Sequence, residues 1–307
     1  MQHFLSLADL TPDELQHLLD LAIQLKAEQK AGKGRPLLQG KVLGMVFQKP
    51  SLRTRVSFDM AMLQTGGHAL YLSPNEIQLG QRESTGDVAR VLSRYVDAIM
   101  ARVFAHADVL ELARYASVPV INGLSDYSHP CQGLTDLLTI YEKRGALRGV
   151  RLVFLGDGNN VAHSLMFGGA LAGMHVTIAC PPGYEPAREV VEKSTAIARQ
   201  TDATIRVLHD PREAVAGADV LYTDVWASMG QEAERAERAR IFPPFQLNAE
   251  RVAAASPHVL IMHDLPAHRG EEITDEVMDG PHSVVFDQAE NRLHAQKAVL
   301  VELLGKV

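Results

Sequence analysis

Two cysteines among 307 residues are too few for a disulfide framework, and this usage fits a reducing compartment at least as well as secretion. Positive charge is also in short supply. Thirty Lys and Arg against 37 Asp and Glu leave a formal charge of −7, which excludes a broad electrostatic footprint for nucleic acid or an anionic membrane but permits a local basic pocket. No apolar run is long enough to span a bilayer, and the opening stretch MQHFLSLADL has no basic segment followed by an apolar signal core. A cytoplasmic location is the expectation. Repeats of short period, low-complexity tracts and Pro/Ser-rich linkers are missing as well. What remains is ordinary globular material, 46% hydrophobic and 22% charged, which excludes disorder as the dominant state. The length suggests two domains, each able to bury its own core.

Short β-branched runs alternate with longer helical patterns. Candidate strands cover 41–47, 68–72, 96–103 and 118–124, then 150–157, 175–181, 204–209, 219–226 and 259–265. Most are continuously apolar, as parallel strands covered on both faces should be. Helical spacing fills the intervals, including 11–30 after the cap-like Thr-Pro-Asp-Glu, 185–199 after Pro-Pro-Gly, and 288–304. The expected class is α/β, with two doubly wound parallel-sheet domains and a cleft between them. A seam falls near 144–149. The expected boundaries are 1–145, 146–287 and a C-terminal helix, 288–307, returning to pack on the first domain.

Ligands of such sheets sit beyond the carboxyl ends of the strands, so the polar residues of those loops matter most. After the first strand come Gln48-Lys49-Pro50-Ser51-Leu52-Arg53-Thr54-Arg55. Unpaired N–H groups at a helix start, with arginine forks beside them, suit a phosphate; a capped, solvated basic helix start is the simpler alternative. Arg102 ends an otherwise apolar strand, as a ligand group or as an ion pair at a sheet edge. His129-Pro130-Cys131-Gln132 opens a helix, with Pro130 suited to its first turn. Nothing else marks a thiol enzyme around Cys131. Gly156-Asp157-Gly158-Asn159-Asn160-Val161 resembles a dinucleotide loop weakly, since Val161 replaces the third glycine and no acid follows to hold a ribose. Asn160 instead offers an amide to both an ammonium and a carboxylate. Asp224-Val225-Trp226-Ala227-Ser228-Met229-Gly230 and His263-Asp264-Leu265-Pro266 complete the set. A metal set of His263, Asp264 and His268 is disfavoured, because Pro266 breaks the helix that would align them.

These residues resemble the aspartate/ornithine carbamoyltransferase family. Ser51-Leu52-Arg53-Thr54-Arg55 is similar to its Ser-x-Arg-Thr-Arg signature, and His129-Pro130-Cys131-Gln132 to its His-Pro-x-Gln element. The Asp224–Gly230 and Gly156–Asn160 segments, with Gln78-Leu79-Gly80-Gln81-Arg82-Glu83-Ser84, resemble the ornithine branch. The motifs run in order to Glu290-Asn291-Arg292. Two positions depart from the pattern: Leu52 stands where threonine is usual, and Asp264 where the ornithine branch carries cysteine.

The resemblance implies carbamoyl transfer from carbamoyl phosphate to the δ-amine of L-ornithine, giving citrulline. It implies that Ser51, Leu52, Arg53, Thr54 and Arg102 hold the phosphate, with Gln78 reaching in from a neighbouring subunit. His129, Gln132 and Arg292 would hold the carbamoyl group, and Asn160, Asp224, Ser228 and Met229 the amino-acid end of ornithine. Asp264 and Leu265 would lie beside its side-chain amine. Arg53, Arg102, His129 and Asp264 are the candidate catalytic residues. No metal or other cofactor is implied, and the expected assembly is a homotrimer or a group of trimers. Other amine acceptors (putrescine, a modified ornithine, aspartate) and a non-catalytic ligand-binding relative are the alternatives.

Overall fold

Continuous apolar runs become parallel strands where helices cover both faces of a sheet. The computed structural model describes residues 1–227 and 232–305. One unit comprises Met1–Leu138 with Asn291–Val307 and the other Thr139–Glu290. The first carries β1 (Val42–Phe47), β2 (His68–Leu72), β3 (Ala98–Arg102) and β4 (Val120–Leu124), all parallel, in the order β2-β1-β3-β4. Its helices are α1 (Pro12–Lys30), α2 (Leu52–Gln64), α3 (Pro74–Ile77), α4 (Thr85–Leu92) and α5 (His106–Tyr115), followed by α6 (Pro130–Arg144), which runs on into the second unit.

The second unit carries β5 (Arg151–Leu155), β6 (His175–Ala179), β7 (Thr204–Leu208), β8 (Val220–Thr223) and β9 (Leu260–His263), again parallel, in the order β7-β6-β5-β8-β9. Around it are α7 (Asn160–Leu171), α8 (Arg188–Ala198), α9 (Pro211–Val215), α10 (Arg235–Ile241), α11 (Ala249–Ala254) and α12 (Asp275–Met278). The last helix, α13 (Val285–Leu304), belongs to the second unit up to Glu290 and to the first from Asn291 onward. Among the described residues no helix is long and apolar enough to cross a membrane.

The expected strands and the observed ones coincide in position but differ at their ends. The run 96–103 yields only Ala98–Arg102: Val96 is buried but gives its N–H to the Leu92 carbonyl at the end of α4 (3.0 Å), and Val103 is buried with a single bond to the Leu124 carbonyl (2.9 Å) where the ladder ends. Such burial looks like strand in a sequence. The helix expected at 185–199 starts at Arg188, and the one expected at 288 starts at Val285. Thr11 does open α1. Its backbone N–H donates to Glu14 Oε2 (2.8 Å) while Glu14 N–H donates to Thr11 Oγ1 (3.2 Å), a reciprocal cap.

Polar contacts fasten the end of α13 to the first unit. Lys26 Nζ donates to Asn291 Oδ1 (2.7 Å), His17 Nε2 meets Glu302 Oε2 (3.0 Å), and Lys297 Nζ donates to Gln64 Oε1 (2.5 Å). Lys297 is 2% exposed, and burial pushes its ammonium from 10.5 down to about 8, opposed by Glu28. Between those values the unfolded chain keeps a proton that the folded chain has released, so stability rises with pH across that window. Lys297→Met is expected to raise the thermal midpoint near neutral pH, with an increment that shrinks as the pH approaches 10.5. A difference independent of pH would show that the buried ammonium is not its cause.

Candidate active site

Each sheet has one place where neighbouring strands send the chain in opposite directions, and ligand loops of doubly wound folds gather there. In the first sheet it lies between β1 and β3, in the second between β5 and β8. The register pairs Phe47 with Arg102 and Leu155 with Thr223, so the loops after them start side by side. The anion-loop residues and Arg102 fall at the first of these points. Asn160 and Asp224 fall at the second.

Ser51 caps α2, its side chain accepting from Thr54 N–H at 3.4 Å, and its hydroxyl proton remains to donate. Leu52 and Arg53 follow in the first turn, Leu52 exposed and Arg53 partly so. Thr54 is fully buried, and its oxygen accepts from Arg292 Nη2 (2.9 Å) and Arg102 Nη1 (3.3 Å). With both lone pairs engaged, its own proton is left to donate. Arg292 Nη1 also donates to Gln132 Oε1 (2.8 Å), and Gln132 Nε2 donates to Asp136 Oδ1 (2.8 Å). Positions 54, 102, 132 and 292 thus form one network. Arg55 turns away from it and stacks on Tyr71, its guanidinium 4.0 Å from the ring centre. Gln78 stands exposed at the end of α3 with φ +40°.

His129 is buried just before α6. Burial, reinforced by the charges of Arg292 and Arg102, holds its imidazole well below the ordinary 6.5. The ring is therefore neutral at physiological pH, with one N–H and one lone pair. Cys131 beside it is no nucleophile: burial pushes the thiol up to about 12, and Sγ donates to the Asn122 carbonyl at 3.5 Å.

In the second unit the glycine-rich loop is closed against its own chain. A Cβ on Gly158 would lie 2.2 Å from the nitrogen of Pro186, and Gly158 N–H donates to the Tyr184 carbonyl (2.8 Å). This glycine serves a backbone contact rather than a pyrophosphate. Asn159 caps α7 through Oδ1 and donates from Nδ2 to Asp224 Oδ2 (2.8 Å); Asp224 Oδ1 takes the Val225 N–H (2.7 Å). Asn160 is the first residue of α7. The carboxylates of Asp224 and Asp264 and a ring nitrogen of His263 lie within 4.8 Å of one another. His268 groups with Glu271 and Glu272 instead, so His263, Asp264 and His268 do not form one set. Leu265 packs its side chain against the second core, with φ +61°. Ser228 and Met229 lie outside the described residues.

Sequence reading missed several supporting residues. Asp136 lies one helical turn after Gln132, a spacing that hints at contact. Asn159 carries a good capping side chain, the only local signal for its role. Arg238 left none: it donates to Asp157 Oδ2 (2.7 Å) and to the Trp226 carbonyl (2.8 Å) from 81 and 12 residues away, fixing the chain just after Asp224.

Residues 2–142 match the carbamoyl-P binding domain of the aspartate/ornithine carbamoyltransferases, and residues 148–303 match their Asp/Orn binding domain. A Pyrococcus abyssi protein named ornithine carbamoyltransferase is 60% identical over 303 residues, 99% of this chain and 96% of its own. A Pyrococcus furiosus relative named ornithine carbamoyltransferase, anabolic, is 58% identical over 303 residues, with the same coverage of each chain. The solved ornithine carbamoyltransferase of P. furiosus superposes with a TM-score of 0.97 at 57% identity, covering 100% of this chain and 98% of that one. The anabolic ornithine carbamoyltransferase structure from Campylobacter jejuni gives 0.94 at 39%, covering 99% of each chain.

Asp136→Ala removes the acceptor that orients Gln132 and is expected to weaken binding of inorganic phosphate about tenfold, read by titration calorimetry. Asp136→Asn keeps a side-chain oxygen and should stay within about threefold of the parent. Equal affinities in all three proteins would remove Asp136 from the site.

Proposed function

Because the chain belongs to the aspartate/ornithine carbamoyltransferase family, we propose that it transfers the carbamoyl group of carbamoyl phosphate to the δ-amine of L-ornithine, giving L-citrulline and phosphate. The observation that carries this reading is the opposite electrostatics of the two sets of strand ends. Guanidinium groups of Arg102 and Arg292 converge on Thr54 in one unit, and the carboxylates of Asp224 and Asp264 converge in the other. The first suits a phosphate and the second a cationic amino acid. Relatives of matching length named ornithine carbamoyltransferase support the acceptor, and the anabolic name of one supports the direction of arginine synthesis.

Residues 1–145, with helix 288–307 packed back, form the carbamoyl-phosphate domain in this proposal, and 146–287 form the ornithine domain. Ser51, the Leu52 backbone, Arg53, Thr54 and Arg102 hold the phosphate, which binds first. His129, Gln132 and Arg292 hold the carbamoyl group. Asn160, Asp224, Ser228 and Met229 take the α-amino and α-carboxylate groups of ornithine, with Asp264 and Leu265 beside its δ-amine.

An alkyl ammonium has an ordinary pKa near 10.4, so the δ-amine must release a proton before it has a lone pair to use. That pair forms the new C–N bond, charge moves onto the carbonyl oxygen, and the C–O bond to phosphate then breaks, its electrons leaving with the phosphate. Neutral His129, with Arg53 and Arg102, supplies donors where that charge develops, each such donor being worth about 3–4 kcal/mol. Asp264 tunes the acceptor. A carboxylate beside the ammonium favours its charged form and opposes deprotonation.

A homotrimer in the cytoplasm completes the proposal. On α2 the apolar residues Leu52, Val56, Met60 and Leu63 recur at helical spacing yet are exposed, Leu52 by 75% and Leu63 by 62%. The stripe begins within the anion signature itself. A neighbouring subunit covering it accounts for both the exposure and the outward Gln78. The two free, buried cysteines accord with a reducing compartment.

A citrulline assay across ornithine, putrescine, a modified ornithine and aspartate tests the reaction, with turnover expected for ornithine. Binding of phosphate without turnover of any amine would point to the non-catalytic alternative, and preference for another amine would reassign the acceptor. Asp264→Cys is expected to lower the pH optimum and raise activity at neutral pH; an unchanged pH–rate profile would take Asp264 out of the mechanism. Val56→Glu with Leu63→Glu is expected to shift the sedimenting species from trimer to monomer and to abolish turnover. A trimer that survives both charges would place the subunit contact elsewhere.

A further inference from the structure

The loop that carries Asp264 and Leu265 is held from beneath by a buried pair that the proposed chemistry does not use. His263, the last residue of β9, is 1% exposed. Its backbone N–H donates to Gln288 Oε1 (3.0 Å), and Gln288 Nε2 donates to the Tyr222 hydroxyl (3.0 Å), which fixes the strand end. Its Nδ1 lies 2.9 Å from the Leu265 backbone nitrogen. A backbone N–H can only donate, so Nδ1 must present a lone pair. The ring proton then sits on Nε2, 3.0 Å from Glu272 Oε1. The same carboxylate oxygen accepts the His268 backbone N–H at 2.5 Å. One fully buried carboxylate therefore grips both ends of the segment 264–267.

The grip has something to resist. Leu265 has φ +61°, a left-handed conformation that a residue with a side chain adopts only at a cost. Two contacts hold it there: its N–H on His263 Nδ1, and its side chain against the second core. A buried carboxylate is costly too, and a well-packed apolar residue in its place is commonly neutral or stabilising. The placement of Glu272 makes sense if the loop above it must not move.

We propose that Glu272 and His263 are positioning residues for the acceptor. Glu272 locks the Nε2–H tautomer of His263, that tautomer holds the Leu265 amide, and the Leu265 peptide sets where the Asp264 carboxylate and the Leu265 carbonyl meet the amine. The inference rests on the reading that segment 264–265 receives the acceptor's side-chain amine.

Steady-state kinetics on the full-length protein test it. Glu272→Ala is expected to raise KM for ornithine about tenfold or more while KM for carbamoyl phosphate stays within about twofold. Glu272→Gln, whose amide oxygen accepts from the same two donors, should bring the ornithine KM back to within about threefold. Equal changes in both KM values, or loss of kcat alone, would mark Glu272 as merely structural and overturn the proposal. A second readout needs no turnover: long-range nitrogen–proton NMR of the histidine-labelled protein should show the Nε2–H tautomer at residue 263. The opposite tautomer, or an imidazolium at neutral pH, would overturn the proposal even if Glu272→Ala fails to fold. A parent protein that makes no citrulline would instead overturn the assigned reaction, and the tautomer would still be decided.

Discussion

The polar network of the first unit converges on one shared oxygen. Thr54 Oγ1 takes N–H groups from Arg292 and Arg102, and Arg292 reaches it from 238 residues away. If α13 did not return, Gln132 would lose its donor and Thr54 one of its two cations. The contacts of Lys297, Asn291 and Glu302 hold that helix in place, so they hold the Thr54 network as well. Two like charges brought to one hydroxyl raise the local potential, and a bound anion lowers it. His129 feels the same field. It stays neutral chiefly because burial penalises the charged ring, and protonation would in addition set a third positive charge beside Arg292 and Arg102.

The second unit follows the same logic with the sign reversed. Asp224 is held through both oxygens, by Asn159 and by the Val225 N–H, and Asp264 brings a second carboxylate to within 4.8 Å. A net charge of −7 conveys neither arrangement. Composition averages over a surface, whereas a site is made by a few groups that the backbone forces together. The forcing is topological. Within each sheet, strand ends that diverge leave room for loops from two sides, and each unit's charged groups stand beside the strand ends of its own sheet.

This explains what the sequence could and could not convey. The central strands were legible because parallel strands buried on two faces are apolar nearly throughout, and their ends were not, because Val96 and Val103, just beyond β3, are equally buried. The residues of the anion loop were legible as a group. Their division of labour was not: nothing in Arg53-Thr54-Arg55 says that Arg55 stacks on Tyr71. Asp136 and Asn159 left faint local traces. Arg238 and Glu272 left none, since an arginine or a glutamate in a charged segment ordinarily reads as solvated surface, and only the fold carries them inside.

The position where cysteine gives way to Asp264 then takes on a structural meaning. A thiol in that place would add little to the field of Asp224, while a carboxylate adds a full charge to a peptide already held by His263 and Leu265. The loop has little freedom to relieve the added charge by moving, because Glu272 fixes both of its ends. Coulombic attraction for an ammonium therefore rises without a matching cost in loop order. The same attraction opposes loss of the proton that nucleophilic attack requires. In the proposed reaction, a tighter hold on the acceptor and a harder release of its proton are two consequences of one substitution, and the hydrogen bonds beneath the loop oppose any movement that would average either away.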